Sequence, residues 1–250
     1  MRNGFDKHLA YINSHPMRGI QPLRVCQAES ERIAVAISPQ TGSGALQIAE
    51  RLAEYLQAQT PHAESPWRVF DRNLMAKVLE DHHLPTRLAE FLPEDAHNAF
   101  DEMLHELLGL YPPSWVIAQQ SIETILNLAR AGNVILMGWG VNAVTRQLPN
   151  VFHVRLVGSI EHRIDRIQAR EHLSRPEALR FIQRRDGGRA RYLKKHFHQE
   201  VADVLLYGLT INTDHFSDAE VVHLICDTVM KRHRETSAGV RILSASETLI

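Results

Sequence analysis

Arg32-Ile33-Ala34-Val35-Ala36-Ile37-Ser38-Pro39-Gln40-Thr41-Gly42-Ser43-Gly44-Ala45 is the stretch on which the fold turns. Residues 32–37 form an apolar run with β-branched members, which predicts a short strand buried on both faces. A glycine-containing turn follows. Leu46, Ala49, Leu52, Ala53 and Leu56 then recur at helical spacing across 45–58. Strand, glycine turn and helix in direct succession open a βα unit.

A tight turn between a buried strand and a helix N-terminus aims several backbone N–H groups at one point. Small residues let a phosphate approach, and the helix dipole favours its negative charge. Gly42, Ser43 and Gly44 suit this role, and the Ser43 hydroxyl can add a hydrogen bond or face a metal. The same residues also suit a plain strand-to-helix turn in which the glycines supply geometry only. The standard G-x-x-x-x-G-K-[ST] is absent, because no lysine follows the loop. No G-x-G-x-x-G and no G-x-S-x-G is present to favour a dinucleotide site or a nucleophile elbow.

Outward from this stretch, residues 1–30 lack sustained periodicity and read as an N-terminal extension. Trp67 to Phe70 predicts a second strand ending at Asp71, and residues 73–110 show a helical pattern broken at Pro85 and Pro93. Ser114 to Ala131 predicts a longer helix, with Gly132 at its C-cap position. Asn133 to Met137 is another apolar strand, and it runs into a second glycine turn, Gly138-Trp139-Gly140. Val151 to Val157 reads as a strand, and Ser159 caps a helix running to about His172. An arginine-dense stretch covers 174–199. Leu205 to Ile211 predicts the last strand, Ser217 to Arg232 a closing helix, and 233–250 a loose tail. The body, 31–232, is one domain. Strands alternating with helices imply a mainly parallel five-stranded sheet covered on both faces, with ligands at the carboxyl ends of the strands. Both glycine turns lie at such ends.

Composition narrows the function classes. Over 250 residues the formal net charge is −1, so no global field recruits nucleic acid or an anionic membrane. No apolar run approaches the roughly 20 residues that span a bilayer, and the first residues carry no signal-peptide core. Cys26 and Cys226 form no metal spacing and no disulfide framework. A cytoplasmic location is expected. There are 15 histidines, yet His82-His83, His196 and His198 complete no H-E-x-x-H or Cys/His set, so no structural metal site is expected.

In order along the chain, the motifs resemble those of the cytidylate kinase-like family of P-loop nucleoside monophosphate kinases. Ser38-Pro39-Gln40-Thr41-Gly42-Ser43-Gly44-Ala45 is similar to the family's S-R-Q-x-G-S-G-G, and Phe70-Asp71 to its short strand ending F/Y-D. Gly138-Trp139-Gly140-Val141 stands against G-R-G-A, and Pro149 to Leu156 against P-N-V-x-H-V-x-L. Asp186-Gly187-Gly188-Arg189-Ala190-Arg191-Tyr192 matches a lid-like D-x-x-R-A-x-Y. Leu206 to Thr213 matches L-Y-x-L-x-x-N-T. The likeness covers about Arg32 to Met230 and departs at two positions, where Pro39 and Trp139 replace arginines. Proline supplies neither charge nor N–H. Trp139 either stacks on a base or packs.

The resemblance implies a three-layer α/β/α P-loop kinase fold with an arginine-rich helical lid at about 174–199. It also implies an enzyme that moves the γ-phosphoryl of ATP, with Mg²⁺, to a nucleoside monophosphate such as CMP or dCMP. Ser38, Gln40, Thr41, Gly42, Ser43 and Gly44 would then cradle the donor phosphates, with Ser43 on the metal. Arg163, Arg166 and Arg170 share one face of the helix after the fourth strand, and Arg166 and Arg170 are expected on the nucleotide. Arg184, Arg185, Arg189 and Arg191 would close over both phosphate groups, and Asp186 would orient them or help position a metal-bound water. Arg185, Asp186 and Arg189 are the expected catalytic set. Asp71, Gly138 and Gly140, with Arg184 and Arg191, would hold the acceptor; Asp71 equally suits a helix N-cap. A solvated basic face is the plain alternative for the arginines. Two further readings stay open: a degenerate kinase fold that binds a nucleotide or anion without turnover, and an oligomeric scaffold using the 95–131 helical region.

Overall fold

Alternate residues of the first strand point to opposite faces of a sheet, and both faces are covered. Val35 and Ile37 lie in one apolar cluster with Ile48, Leu52, Leu56, Val221, Ile225 and Val229. Ala34 and Ala36 lie in a second with Phe70, Ile125, Leu128, Ala129, Val134 and Leu136. All four residues of the 34–37 run are fully buried, which is why the run shows no polar alternation.

The computed structural model describes residues 32–61, 65–71, 114–138 and 140–247. The elements in order are β1 (Ala34–Pro39), α1 (Ala45–Gln59), β2 (Arg68–Phe70), α2 (Ser114–Ala131), β3 (Val134–Met137) and α3 (Val141–Val144). There follow β4 (Val151–Val157), α4 (Ile160–Glu171), α5 (Arg175–Phe197), β5 (Leu209–Asn212) and α6 (Asp218–Glu247). The strands form one five-stranded sheet in the order β2-β3-β1-β4-β5, and every pairing is parallel. Helices α1 and α6 cover one face through the first cluster, and α2 covers the other. The fold is therefore the α/β class that the alternation predicts. No described helix is long and apolar enough to cross a membrane.

β1 is central and β3 is its neighbour, so the two glycine turns leave adjacent strands at the same end of the sheet. The Gly138 N–H donates to the Ile37 carbonyl and ties them together. Pro39 pairs with Leu156 at the last position of β1, where a missing N–H removes the least from the ladder.

The arginine-dense stretch is one continuous helix, α5, opened by a capping box between Ser174 and Glu177 with proline in its first turn. Ile164 and Ile167 of α4 pack on Ala178 and Ile182 of α5, which joins the two helices. Boundaries shift by one or two residues at several strands, β1 covering Ala34–Pro39 rather than 32–37, and two differ by more. β5 starts at Leu209, because Asp203 caps a 3-10 turn over Val204–Leu206 and leaves Leu205 86% exposed. α6 runs on to Glu247 rather than closing at Arg232. The extension at 1–30, the helical pattern at 73–110 and Trp139 lie outside the described residues.

Candidate functional site

The loop after β1 is built by two glycines and one helix behind it. Gly42 and Gly44 have φ of +88° and +81°, a region that side chains rarely adopt. A Cβ on Gly42 would lie 2.6 Å from the Arg163 carbonyl oxygen, so glycine lets the loop press against α4. A Cβ on Gly44 would meet the Arg166 guanidinium. The turn is closed by the Ser43 N–H donating to the Gln40 carbonyl at 3.1 Å, and the Gln40 N–H donates to Leu156 at 2.8 Å. No bond from the Gly42 or Gly44 N–H to another described residue is formed. Helix α1 adds the open N–H groups of its first turn. The hydroxyls of Thr41 and Ser43 are buried, and neither has a hydrogen-bond partner among the described residues. Such orphaned groups are uncommon in a finished fold and suit a missing ligand.

Three guanidiniums gather round this loop. Arg163 of α4 donates to the Thr41 carbonyl at 3.3 Å and to Asp186 Oδ2 at 2.6 Å. Arg189 of α5 donates to the Pro39 carbonyl at 2.8 Å and to Asp186 Oδ1 at 3.1 Å. Arg155 of β4 is buried and donates to both the carbonyl and the hydroxyl of Ser38. Burial pulls the Arg155 pKa below its ordinary value; Arg189 and Arg163 push the same way, and Tyr207 and Asp186 oppose them. At the centre is Asp186, whose Oδ1 also accepts the Thr41 N–H at 2.9 Å. A carboxylate thus occupies one of the loop's anion-seeking donors.

Beside the loop, between it and the second glycine turn, runs a crevice. Ser38, Gly138, Asn142, Arg189, Leu193 and Tyr207 are among its lining residues. Gly138 and Gly140, with φ of +79° and +63°, turn the chain there. The Tyr207 hydroxyl is held by the Val201 carbonyl at 2.9 Å.

Of the residues expected at the site, the structure brings together Ser38, Thr41, Gly42, Ser43, Gly44, Asp186 and Arg189, and it sets Gly138 and Gly140 beside them. Gln40 is placed there but is engaged internally, its side-chain oxygen accepting the Gly158 N–H at 3.0 Å. Arg166 lies over Gly44 and is tied to Asp218 at 2.8 Å. Arg170 is not part of the cluster: it is exposed at the end of α4 and pairs with Glu171. Arg185 stacks on Phe181 of its own helix at 4.6 Å, while Arg184 and Arg191 are exposed on α5. Asp71 follows β2, one residue past the Phe70–Leu136 pair, on the β3 side of the sheet. Sequence reasoning placed no site role on Arg163 or Arg155. Arg163 was legible as a member of the arginine face on α4. Arg155 is a charged residue inside a mostly apolar strand, which is the signal that could have found it.

Comparison with known proteins agrees with this architecture. The sequence model of the cytidylate kinase-like family matches residues 34–215. No curated protein matches the chain. Among solved structures, an uncharacterised protein from Eubacterium ventriosum ATCC 27560 superposes with a TM-score of 0.57 at 17% identity, covering 79% of this chain and 98% of that one. A gluconokinase from Sinorhizobium meliloti 1021 gives 0.46 at 11% identity, with 83% and 97% covered. A shikimate kinase from Bacteroides thetaiotaomicron gives 0.42 at 12% identity, with 82% and 98% covered.

Proposed function

The chain belongs to the cytidylate kinase-like family, which makes it a phosphotransferase of the P-loop kinase kind, and on that premise we propose that it moves the γ-phosphoryl of ATP to a nucleoside monophosphate, CMP or dCMP. The observation that carries the proposal is the convergence of Arg163 and Arg189, from two different helices, on a glycine loop whose Thr41 and Ser43 hydroxyls are buried without partners.

In this reading the loop cradles the donor phosphates with the N–H groups of Gly42, Gly44 and the first turn of α1. The entering phosphates compete with Asp186 for the Thr41 N–H. Arg163 and Arg189 neutralise charge on the transferring group, and their bidentate forks suit phosphate oxygens. An acceptor phosphate oxygen attacks the γ-phosphorus as the bond to ADP breaks, yielding ADP and a nucleoside diphosphate. Positioning and charge stabilisation supply most of the acceleration, so no general base is needed. Mg²⁺ bound with ATP would offset the charge of its phosphates. Ser43 Oγ, orphaned at the start of α1, is the group here that fits it.

Pro39 supports a second reading, a fold that binds nucleotide without turnover. Against it, the guanidinium of Arg189 stands at the Pro39 carbonyl, so cationic character reaches the position where the family carries arginine. Calorimetric titration with ATP, CMP and dCMP in Mg²⁺, paired with an ADP-release assay, separates the two. Binding with ADP release that requires the monophosphate is expected. Binding without release selects the non-catalytic reading, and no nucleotide binding sinks both. Turnover that appears only in Pro39→Arg would identify a kinase that has lost its activity.

A further inference from the structure

Arg166 is clamped through two of its nitrogens. Its Nε donates to His162 Nε2 at 3.2 Å, and its Nη2 donates to Asp218 Oδ1 at 2.8 Å. Nη1 has no hydrogen bond to a described residue, and it stands where a Cβ on Gly44 would lie. Gly44 is the residue from which α1 starts, so this free donor is held beside the open N–H groups of the loop. A cation at the positive end of a helix is unfavourable by itself. Asp218 offsets it in part, and a phosphate in the loop completes the balance.

His162 accepts from Arg166 only while Nε2 carries no proton. Its other nitrogen, Nδ1, lies 2.9 Å from Asp214 Oδ1. The carboxylate takes the Nδ1 proton and leaves Nε2 as the acceptor, so Asp214 fixes the tautomer that Arg166 needs. Asp214 is itself held by the Ser159 N–H at 2.8 Å. The His162 side chain is 37% exposed, so protons from solvent reach the ring.

We propose that His162 is a positioning residue for the donor nucleotide: neutral and oriented by Asp214, it aims Arg166 Nη1 at the phosphates in the 38–44 loop. The inference rests on the reading of ATP as donor and assigns His162 a part in it. A proton on Nε2 sets N–H against N–H and cation against cation, so Arg166 loses one of its two clamps. Asp214, after β5, favours that proton and Arg166 opposes it; with Asp218 of α6 beyond Arg166, these are the charged groups of the cluster.

The test measures ATP binding in Mg²⁺ to the full chain by calorimetry at about pH 7.5 and about pH 5.5, in wild type, His162→Gln and His162→Leu. A glutamine carboxamide offers an acceptor to Arg166 and a donor to Asp214, and it takes up no proton in this range. At the higher pH the glutamine variant should bind as wild type does. The leucine variant should bind about threefold to tenfold more weakly, the share of one hydrogen bond. At the lower pH wild type should weaken about threefold or more relative to the glutamine variant. The ionisation of ATP and of the other histidines is common to all three proteins and cancels in that ratio. A purely structural role would lower the unfolding midpoint and leave the ratio unchanged. Parallel pH curves in wild type and the glutamine variant, or wild-type affinity in the leucine variant, overturns the role of His162 and leaves the kinase reading standing. Absence of ATP binding in wild type overturns the donor reading, and the inference with it.

Discussion

Asp186 shows how one side chain can tie a glycine loop to two arginines from different helices. Its two carboxylate oxygens take the Thr41 N–H, Arg163 and Arg189 at 2.9, 2.6 and 3.1 Å. Removing it leaves two largely buried guanidiniums without their shared counter-charge, and breaking such pairs costs about 3–5 kcal/mol. Asp186→Ala should therefore lower the urea midpoint clearly. The same change opens the Thr41 N–H and removes the negative charge beside both arginines, so affinity for inorganic triphosphate should rise several-fold while ADP release falls. Weakened triphosphate binding would show that Asp186 orients the arginines more than it competes with phosphate. Gly44 is constrained as firmly. At φ +81°, with the Arg166 guanidinium where a Cβ would sit, Gly44→Ala combines backbone strain with displacement of the ion pair to Asp218. A loss of about 1–3 kcal/mol is expected in equilibrium unfolding.

At the scale of elements, the site is a junction of β1, α4 and α5. Arg163 is the side chain that joins all three, through Gly158, Thr41 and Asp186. Arg163→Met keeps much of the side-chain bulk and removes the bonds. It should cost about 2–4 kcal/mol, since it strips a charged partner from a partly buried carboxylate. It should also weaken ATP binding at least tenfold. Retained ATP affinity in a folded Arg163→Met protein would remove Arg163 from the donor site. The elements themselves were legible in sequence. Ser114–Ala131 and Val151–Val157 match their predicted limits, because a glycine or turn residue stops each one. Arginines on one helix were not equally legible as a site. Period alone places Arg163, Arg166 and Arg170 on one face, but only the packing of α4 against the loop decides that the first two reach it and Arg170 does not.

Across the whole molecule, His153 couples the sheet to pH. It sits on β4, with its Nε2 2.9 Å from Thr145 Oγ1. Burial, and then the charge of Arg232, push its pKa down from 6.5 to about 4. The folded protein thus keeps the ring neutral where the unfolded chain takes up a proton. This group's contribution to stability is complete above about pH 6.5 and is lost as pH falls toward 4. The slope is about 1.4 kcal/mol per pH unit at most. Urea midpoints at pH 7, 6 and 5 should fall stepwise in wild type and fall less in His153→Gln. Parallel curves would mean that His153 is not the group responsible.

The sequence by itself determined the βα order, the parallel sheet and the place of both glycine turns. Apolar runs, helical period and glycine positions are local signals, and local conformation follows from them. Family motifs added the expectation of a phosphate loop, and its turn is where the sequence put it. Only the tertiary structure decided which polar groups meet there. Arg155, Arg163, Asp186 and Arg189 come from three elements separated by up to 34 residues in the chain. Contacts between distant segments depend on packing, and no spacing along the chain records which side of a helix will face a loop.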